Sequence, residues 1–171
     1  MKDFLAQPET PQGSAFFEEL LWVHSRLRKD LATVRRLAEE CREGRPAEEL
    51  QDEIASLEAN SPLWRLKIGC LHYCHFVHSH HTAEDMMLFP RLRIANPELN
   101  PVIDKLEADH KEVADLLRKI EATAQALTGS DSDAARERLS GELDSLGDHL
   151  LAHLDYEEKN LEPSLRRIER L

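Results

Sequence analysis

HHTAEDMMLFPRL (residues 80–92) and HLDYEEKNLEPSL (residues 153–165) are two copies of one pattern. Laid over each other, His80 falls on His153, Glu84 on Glu157 and Asp85 on Glu158. Leu88 falls on Leu161, Pro90 on Pro163 and Leu92 on Leu165. A second match lies upstream of each copy. LLWVHSRLRKDL, around His24, resembles LEADHKEVADLL, around His110. The chain therefore reads as a helix pair written twice. The first helix of each pair carries one histidine, and the second carries His-x-x-x-Glu.

Apolar spacing supports helices throughout. Phe17, Leu20, His24, Leu27, Leu31, Val34 and Ala38 alternate by three and four, as one buried stripe does. Gly44 and Pro46 end that helix. Residues 46–59 predict a short extra helix between the first and second long helices. Ser61 as N-cap and Pro62 at the first helical position start the second, which runs to about Ile94 with a bend at Pro90. The third begins near Pro101 and carries Ile103, Leu106, His110, Val113, Leu117 and Ile120. The fourth carries Leu139, Leu143, Leu146, Leu150, His153, Glu157 and Leu161, and Pro163 bends or ends it. Four such helices with short connectors predict an all-α, up-down-up-down bundle in one domain. Residues 1–13 read as a loose leader and the bundle as about 14–166.

Composition agrees and narrows the function. Only 6 Gly among 171 residues, with Leu, Ala, Glu and Arg abundant, favours helix over strand. A formal net charge of −11 repels phosphate, which argues against nucleic acid and anionic membranes as partners. No apolar run approaches the ~20 residues of a membrane span. The 3 cysteines are an odd count behind a polar, Pro-rich N-terminus, so a reduced, cytoplasmic protein is expected. Cys70 and Cys74 lie one turn apart, with His72 and His75 interleaved. No second Cys/His cluster complements them, so they read as two buried or half-buried thiols rather than a zinc site.

Each stripe is apolar at its ends and polar at one level, where a plain bundle would carry Leu. His and Glu four apart share a helix face and can hold one ion. Two such pairs with His24 and His110 bring four imidazoles and two carboxylates inward. That donor set suits Fe, Mn or Zn, and carboxylates shared between ions favour a dinuclear centre. Two glutamates buried without counter-charge would cost several kcal/mol each, on the order of an unpaired buried ion. Metal cations supply that charge.

Residues 71–92 hold five of the 9 histidines, and most face away from this level. Stepping about 100° per residue from His80 puts Tyr73, Val77, Glu84 and Met87 on the inner face. His81 falls at its edge, and His72, His75 and His78 fall outside it. His149, one turn before His153, reads as a further inner-stripe position.

His24, HHTAEDMMLFP, His110 and HLDYEEKNLEP together resemble the haemerythrin HHE cation-binding family over residues ~14–166. The resemblance implies a four-helix bundle holding two Fe ions, bridged by two carboxylates and an oxo or hydroxo group. It makes His24, His80, His110 and His153 terminal ligands and Glu84 and Glu157 the bridges; Mn and Zn fit the same ligands. Two departures matter. Respiratory haemerythrins carry two histidines one turn apart on the third helix, whereas Leu106 and Ala114 flank His110 here. The missing imidazole leaves a position for water, His81 or His149. Those carriers also use an Asp five residues after the fourth-helix His. Here Glu157 and Glu158 both stand near that spacing, and Glu157 is preferred because the duplicate uses four.

The resemblance implies binding of O₂, NO or peroxide, in oxygen or redox sensing or response, with an unidentified protein partner to carry the signal. The competing reading is a di-iron enzyme, peroxide-decomposing or an oxidase, with Glu157 or Glu158 moving protons and Tyr73 as a redox relay. Iron storage ranks third, because two ions per chain store little without a cage. Sustained turnover selects the enzyme, and a stable adduct selects the sensor.

Overall fold

The four apolar stripes become four long helices. A computed structural model describes residues 3–42, 62–127 and 133–169. They form α1 (Pro11–Arg42), α2 (Pro62–Ala83), a π turn (Glu84–Leu88), α3 (Phe89–Ala95), α4 (Asn100–Ala126) and α5 (Asp133–Leu165). The helix expected over 46–59 and the Ser61 cap lie outside the described residues. α1 and α4 each pack against both α2 and α5, closing a ring of four. Gly13 meets Leu165, Arg28 meets Asp155 and Arg35 meets Asp144, so α1 and α5 run antiparallel.

The core is split into two apolar clusters. Toward one end Leu27, Leu31, Val77, Val113, Leu117, Leu143 and Leu150 pack together. Toward the other, Phe17, Leu20, Phe89, Leu92, Ile103, Leu106 and Leu161 do so. Each fully buried Leu or Phe stabilises the fold by roughly 2 kcal/mol. Between the clusters His24, His81, Glu84, His110, His153 and Glu157 are all buried. The polar level in the sequence is thus a polar layer inside the bundle.

Cys70 and Cys74 are buried in the first cluster, as expected. Burial pushes the Cys74 thiol up to about 12, which leaves it protonated and inert. The Tyr73 hydroxyl donates to the Leu27 carbonyl at 3.1 Å. Its position is set by packing, and burial raises its pKa. No described helix is long and apolar enough to cross a membrane.

Pro90 does more than bend its helix. It has no N–H, and in regular α geometry its ring would strike the carbonyl four residues back. The backbone widens instead, and the Phe89 N–H bonds to the Glu84 carbonyl five residues behind it. Pro90 then falls in the first turn of α3, where no N–H is needed. The slower winding moves Met87 off the inner face expected for it, to 63% exposure, and brings Leu88 inside. Pro163 has no such effect: α5 stays α-helical through it and ends two residues later.

The described part of the leader, residues 3–13, packs against the end of α5. Phe4–Ala6 is a 3₁₀ turn, and α1 begins at Pro11. The Thr10 N–H donates to the Arg166 carbonyl at 2.7 Å and its hydroxyl to the Ile168 carbonyl at 2.6 Å. Arg167 reaches back to the Leu5 and Gln7 carbonyls. The Arg166 and Ile168 carbonyls, just past the end of α5, have no helical donors, and Thr10 supplies one to each. Gly13 sits at this seam, where a Cβ would collide with the Leu165 and Arg166 backbone. Gly13→Ala is expected to cost about 1–3 kcal/mol and lower the melting temperature by several degrees. Metal content should be unaltered, and thermal denaturation with metal analysis checks both.

The connector after α3 is anchored as well. The Asn96 side chain accepts from the Glu98 N–H and donates to Ser164 Oγ at 3.1 Å. That buried bond ties the α3–α4 turn to α5 and fixes how α4 presents His110.

Candidate metal centre

All four long helices and the π turn contribute to the polar layer. α1 supplies His24, and α2 supplies His80 and His81. The π turn supplies Glu84, α4 supplies His110, and α5 supplies His153 and Glu157. Ligand atoms of His24, His80 and Glu84 lie within 4.8 Å of one another, as do those of His81, Glu84, His110 and His153. The two groups share Glu84. Its Oε1 is 3.1 Å from His80 Nε2, and its Oε2 is 3.4 Å from His110 Nε2. Glu157 also spans the groups: Oε2 is 3.7 Å from His24 Nε2 and 3.5 Å from His153 Nε2. The six residues singled out from the sequence therefore come together, with His81 as a seventh.

The outer nitrogens are held too. His24 Nδ1 faces Glu158 Oε1 at 2.9 Å, and Arg28 in turn holds Glu158 at 2.7 Å. His110 Nδ1 faces Asp85 Oδ1 at 2.7 Å. His153 Nδ1 faces Asp109 at 3.5 Å, and Lys105 pairs with Asp109. A carboxylate on Nδ1 keeps the proton there and leaves the Nε2 lone pair pointing inward. The duplication crosses over at this point, because Glu158 of the second pair serves His24 of the first and Asp85 of the first serves His110 of the second. The alignment of Asp85 with Glu158 carried that signal in the sequence. Arg28 and Asp109 had none, since their roles depend on which helices become neighbours. Glu158→Gln and Asp85→Asn should each weaken metal affinity about 10- to 100-fold with little change in helix content. Competition with a chelator of known affinity reads this out.

The electrostatics fit a cation. Glu84 Oε1 and Oε2, Glu157 Oε1 and Oε2, and His81 Nε2 are buried with no hydrogen-bonding partner. Native interiors seldom leave such atoms orphaned, and five in one layer call for positive charge. In the bare chain burial pushes Glu84 up to about 8. Burial, then the Glu84 charge, raises Glu157 well above the usual carboxylate range. Burial drives the imidazoles the other way: His24 and His110 down to about 2 and His153 to about 4. His80 and His81 are lowered as well, again chiefly by burial. All five are neutral at pH 7, the form that binds a metal.

His81 was expected at the edge of the inner face and lies inside it at 4% exposure. Its ring stacks on His110 with centroids 3.9 Å apart. Leu106 and Ala114 leave His110 without an imidazole neighbour on α4, and His81 reaches in from α2 on that side. His149 is a correction. It is exposed, and its Nδ1 pairs with the Ser145 carbonyl. At about 100° per residue the Leu139–Leu161 stripe centres about 90° away from it. His72, His75 and His78 are exposed, as their positions on the helix predicted. His75→Ala and His78→Ala should leave metal content per chain unchanged, and metal loss in either would overturn the face assignment.

No curated protein and no solved structure matched the chain. The profile of the Hemerythrin HHE cation binding domain matches residues 15–165, a span that begins one turn into α1, ends with α5 and contains every residue of the polar layer. The chain belongs to the hemerythrin HHE cation-binding family.

Proposed function

We propose that this protein holds two iron ions in the polar layer and binds O₂, NO or peroxide there, in oxygen or redox sensing or response. Glu84 and Glu157 would be shared between the two ions. His24 and His80 would hold one, and His110 and His153, joined by His81, the other. The observation that carries this reading is Glu84. Its two buried oxygens face different histidine groups, Oε1 toward His80 and Oε2 toward His110. Family membership supports a metal-binding function, for which these residues have a fitting donor set.

A bound di-iron pair supplies two electrons at a Lewis-acidic site. The protein's own residues do the rest. Asp85, Glu158 and Asp109 fix the rings. The two apolar clusters keep water from the layer on both sides. Glu158 touches His24 and is partly exposed, so it can pass a proton between that ring and solvent. Three imidazoles on one side and two on the other leave the His24/His80 side poorer in ligands, which favours that side for an exogenous ligand. A second reading, a di-iron enzyme, gains support from a cavity that reaches His80 and Glu84 on that same side.

Metal analysis of iron-loaded protein tests the proposal, together with its absorption spectrum before and after reduction and exposure to O₂ or NO. About two irons per chain, with near-ultraviolet bands that bleach on reduction, is the expected result. One zinc and a featureless spectrum would make the layer structural and end the redox reading.

A further inference from the structure

A cavity of about 340 Å³ opens between α1 and the π turn. Leu20, Val23 and Met87 wall it, Ala83 lies at its side, and His80 and Glu84 are among its lining residues. Its origin is local. The widened π turn swings Met87 outward, and Ala83 is too small to fill the space left beside Glu84. Bulges of this kind are common at functional sites.

The size does not suit a diatomic gas. Dioxygen needs little more room than one water, whose share of liquid is about 30 Å³. The cavity is roughly ten times that and falls in the range of small-molecule sites, about 300–1,000 Å³. Its walls are mainly apolar. Apart from Glu84 in the polar layer, the charged side chains that line it, Glu19 and Arg91, are opposite in sign, and the whole chain carries −11. An anionic ligand would gain from Arg91 and lose to Glu19 and to the net charge. An uncharged body suits such walls, and one polar group on it would answer His80 and Glu84.

We propose that this cavity binds a small, uncharged, largely apolar organic molecule, with one hydroxyl or carbonyl group directed at His80 and Glu84. The site lies on the side of the layer with fewer imidazoles. Its position as a co-substrate or effector site rests on the metal-centre reading above, whereas the cavity itself does not.

The test is ¹⁹F NMR titration of 4-fluorophenol into the full chain loaded with zinc, and then with manganese, metal content being measured on each sample. Saturable binding to the zinc form, strong line broadening by the manganese form, and at least about tenfold weaker binding in Ala83→Phe are expected. Val23→Phe, which fills the same space from α1, should act alike, and 4-fluorobenzoate should bind about tenfold more weakly than the phenol. Ala83 and Val23 are only partly buried or exposed, so both variants should keep their helix content and metal. Absence of saturable binding to a chain carrying two metals overturns the proposal and leaves the metal reading intact. Binding indifferent to both Phe variants, or unbroadened by manganese, also overturns it. A chain that takes up no metal defeats the metal reading alone, and titration of the bare protein against Ala83→Phe then decides the cavity.

Discussion

Glu84→Ala is expected to leave at most one metal ion per chain in place of the two proposed for the intact protein. Glu84 is the one residue common to both ligand groups, with an oxygen 3.1 Å from His80 and another 3.4 Å from His110. Removing it takes a ligand and a negative charge from both positions at once. Two cations left in one buried layer with a single carboxylate between them would repel each other at low effective dielectric. Glu157→Ala should act in the same direction, because Glu157 Oε2 stands between His24 and His153. The two effects should not add, since either loss already breaks the bridge. Glu84→Gln sharpens the test. It keeps the volume, so a loss of metal cannot be ascribed to a packing defect. The stripped Glu84→Gln protein should be no less stable than the stripped parent at pH 8, where the parent carries a buried carboxyl at the edge of ionisation. A Glu84 variant that retains two metals with an unchanged spectrum would remove Glu84 from the bridge.

The sequence was most legible where one helix decides the outcome. Spacing of three and four located the stripes, and the duplicated His-x-x-x-Glu placed Glu84 and Glu157 on inner faces without knowledge of their neighbours. It was less legible where two helices meet. His81 looked marginal on α2 alone and is buried because α4 brings His110 against it. Glu158 and Arg28 lie 130 residues apart in the chain, and only the α1–α5 contact joins them. His149 shows the opposite error: one helical turn from a ligand is close along the axis, but its side chain points elsewhere. Met87 shows a third kind. A wheel drawn at constant pitch fails across the π turn, and Pro90 was a warning that the pitch would change.

Stripping the metal should lower the melting temperature by on the order of 10 °C at pH 8, and by less at pH 6.5. An ion present at about 1,000 times its dissociation constant stabilises the folded chain by about 4 kcal/mol. For a chain of this length each kcal/mol moves the midpoint by about 2–4 °C. The pH dependence follows from the direction of the shifts. Glu84 is raised from near 4.5 to about 8 in the bare fold, and Glu157 is raised as well. Their contribution to the stripped protein is present below 4.5 and is lost as pH rises toward 8. His24, His110 and His153 are lowered from 6.5, so their contribution is complete above 6.5 and is lost as pH falls. The folded imidazoles are neutral between 6.5 and 8; those of the unfolded chain are half charged at 6.5, but that state is common to loaded and stripped protein, so the carboxyl groups set the trend in the difference between them. The loaded protein escapes that trend, because its carboxylates are already ionised against the cations. The gap between loaded and stripped midpoints should therefore widen from pH 6.5 to 8. A gap that narrows over this window would mean that the buried glutamates are not what the metal neutralises.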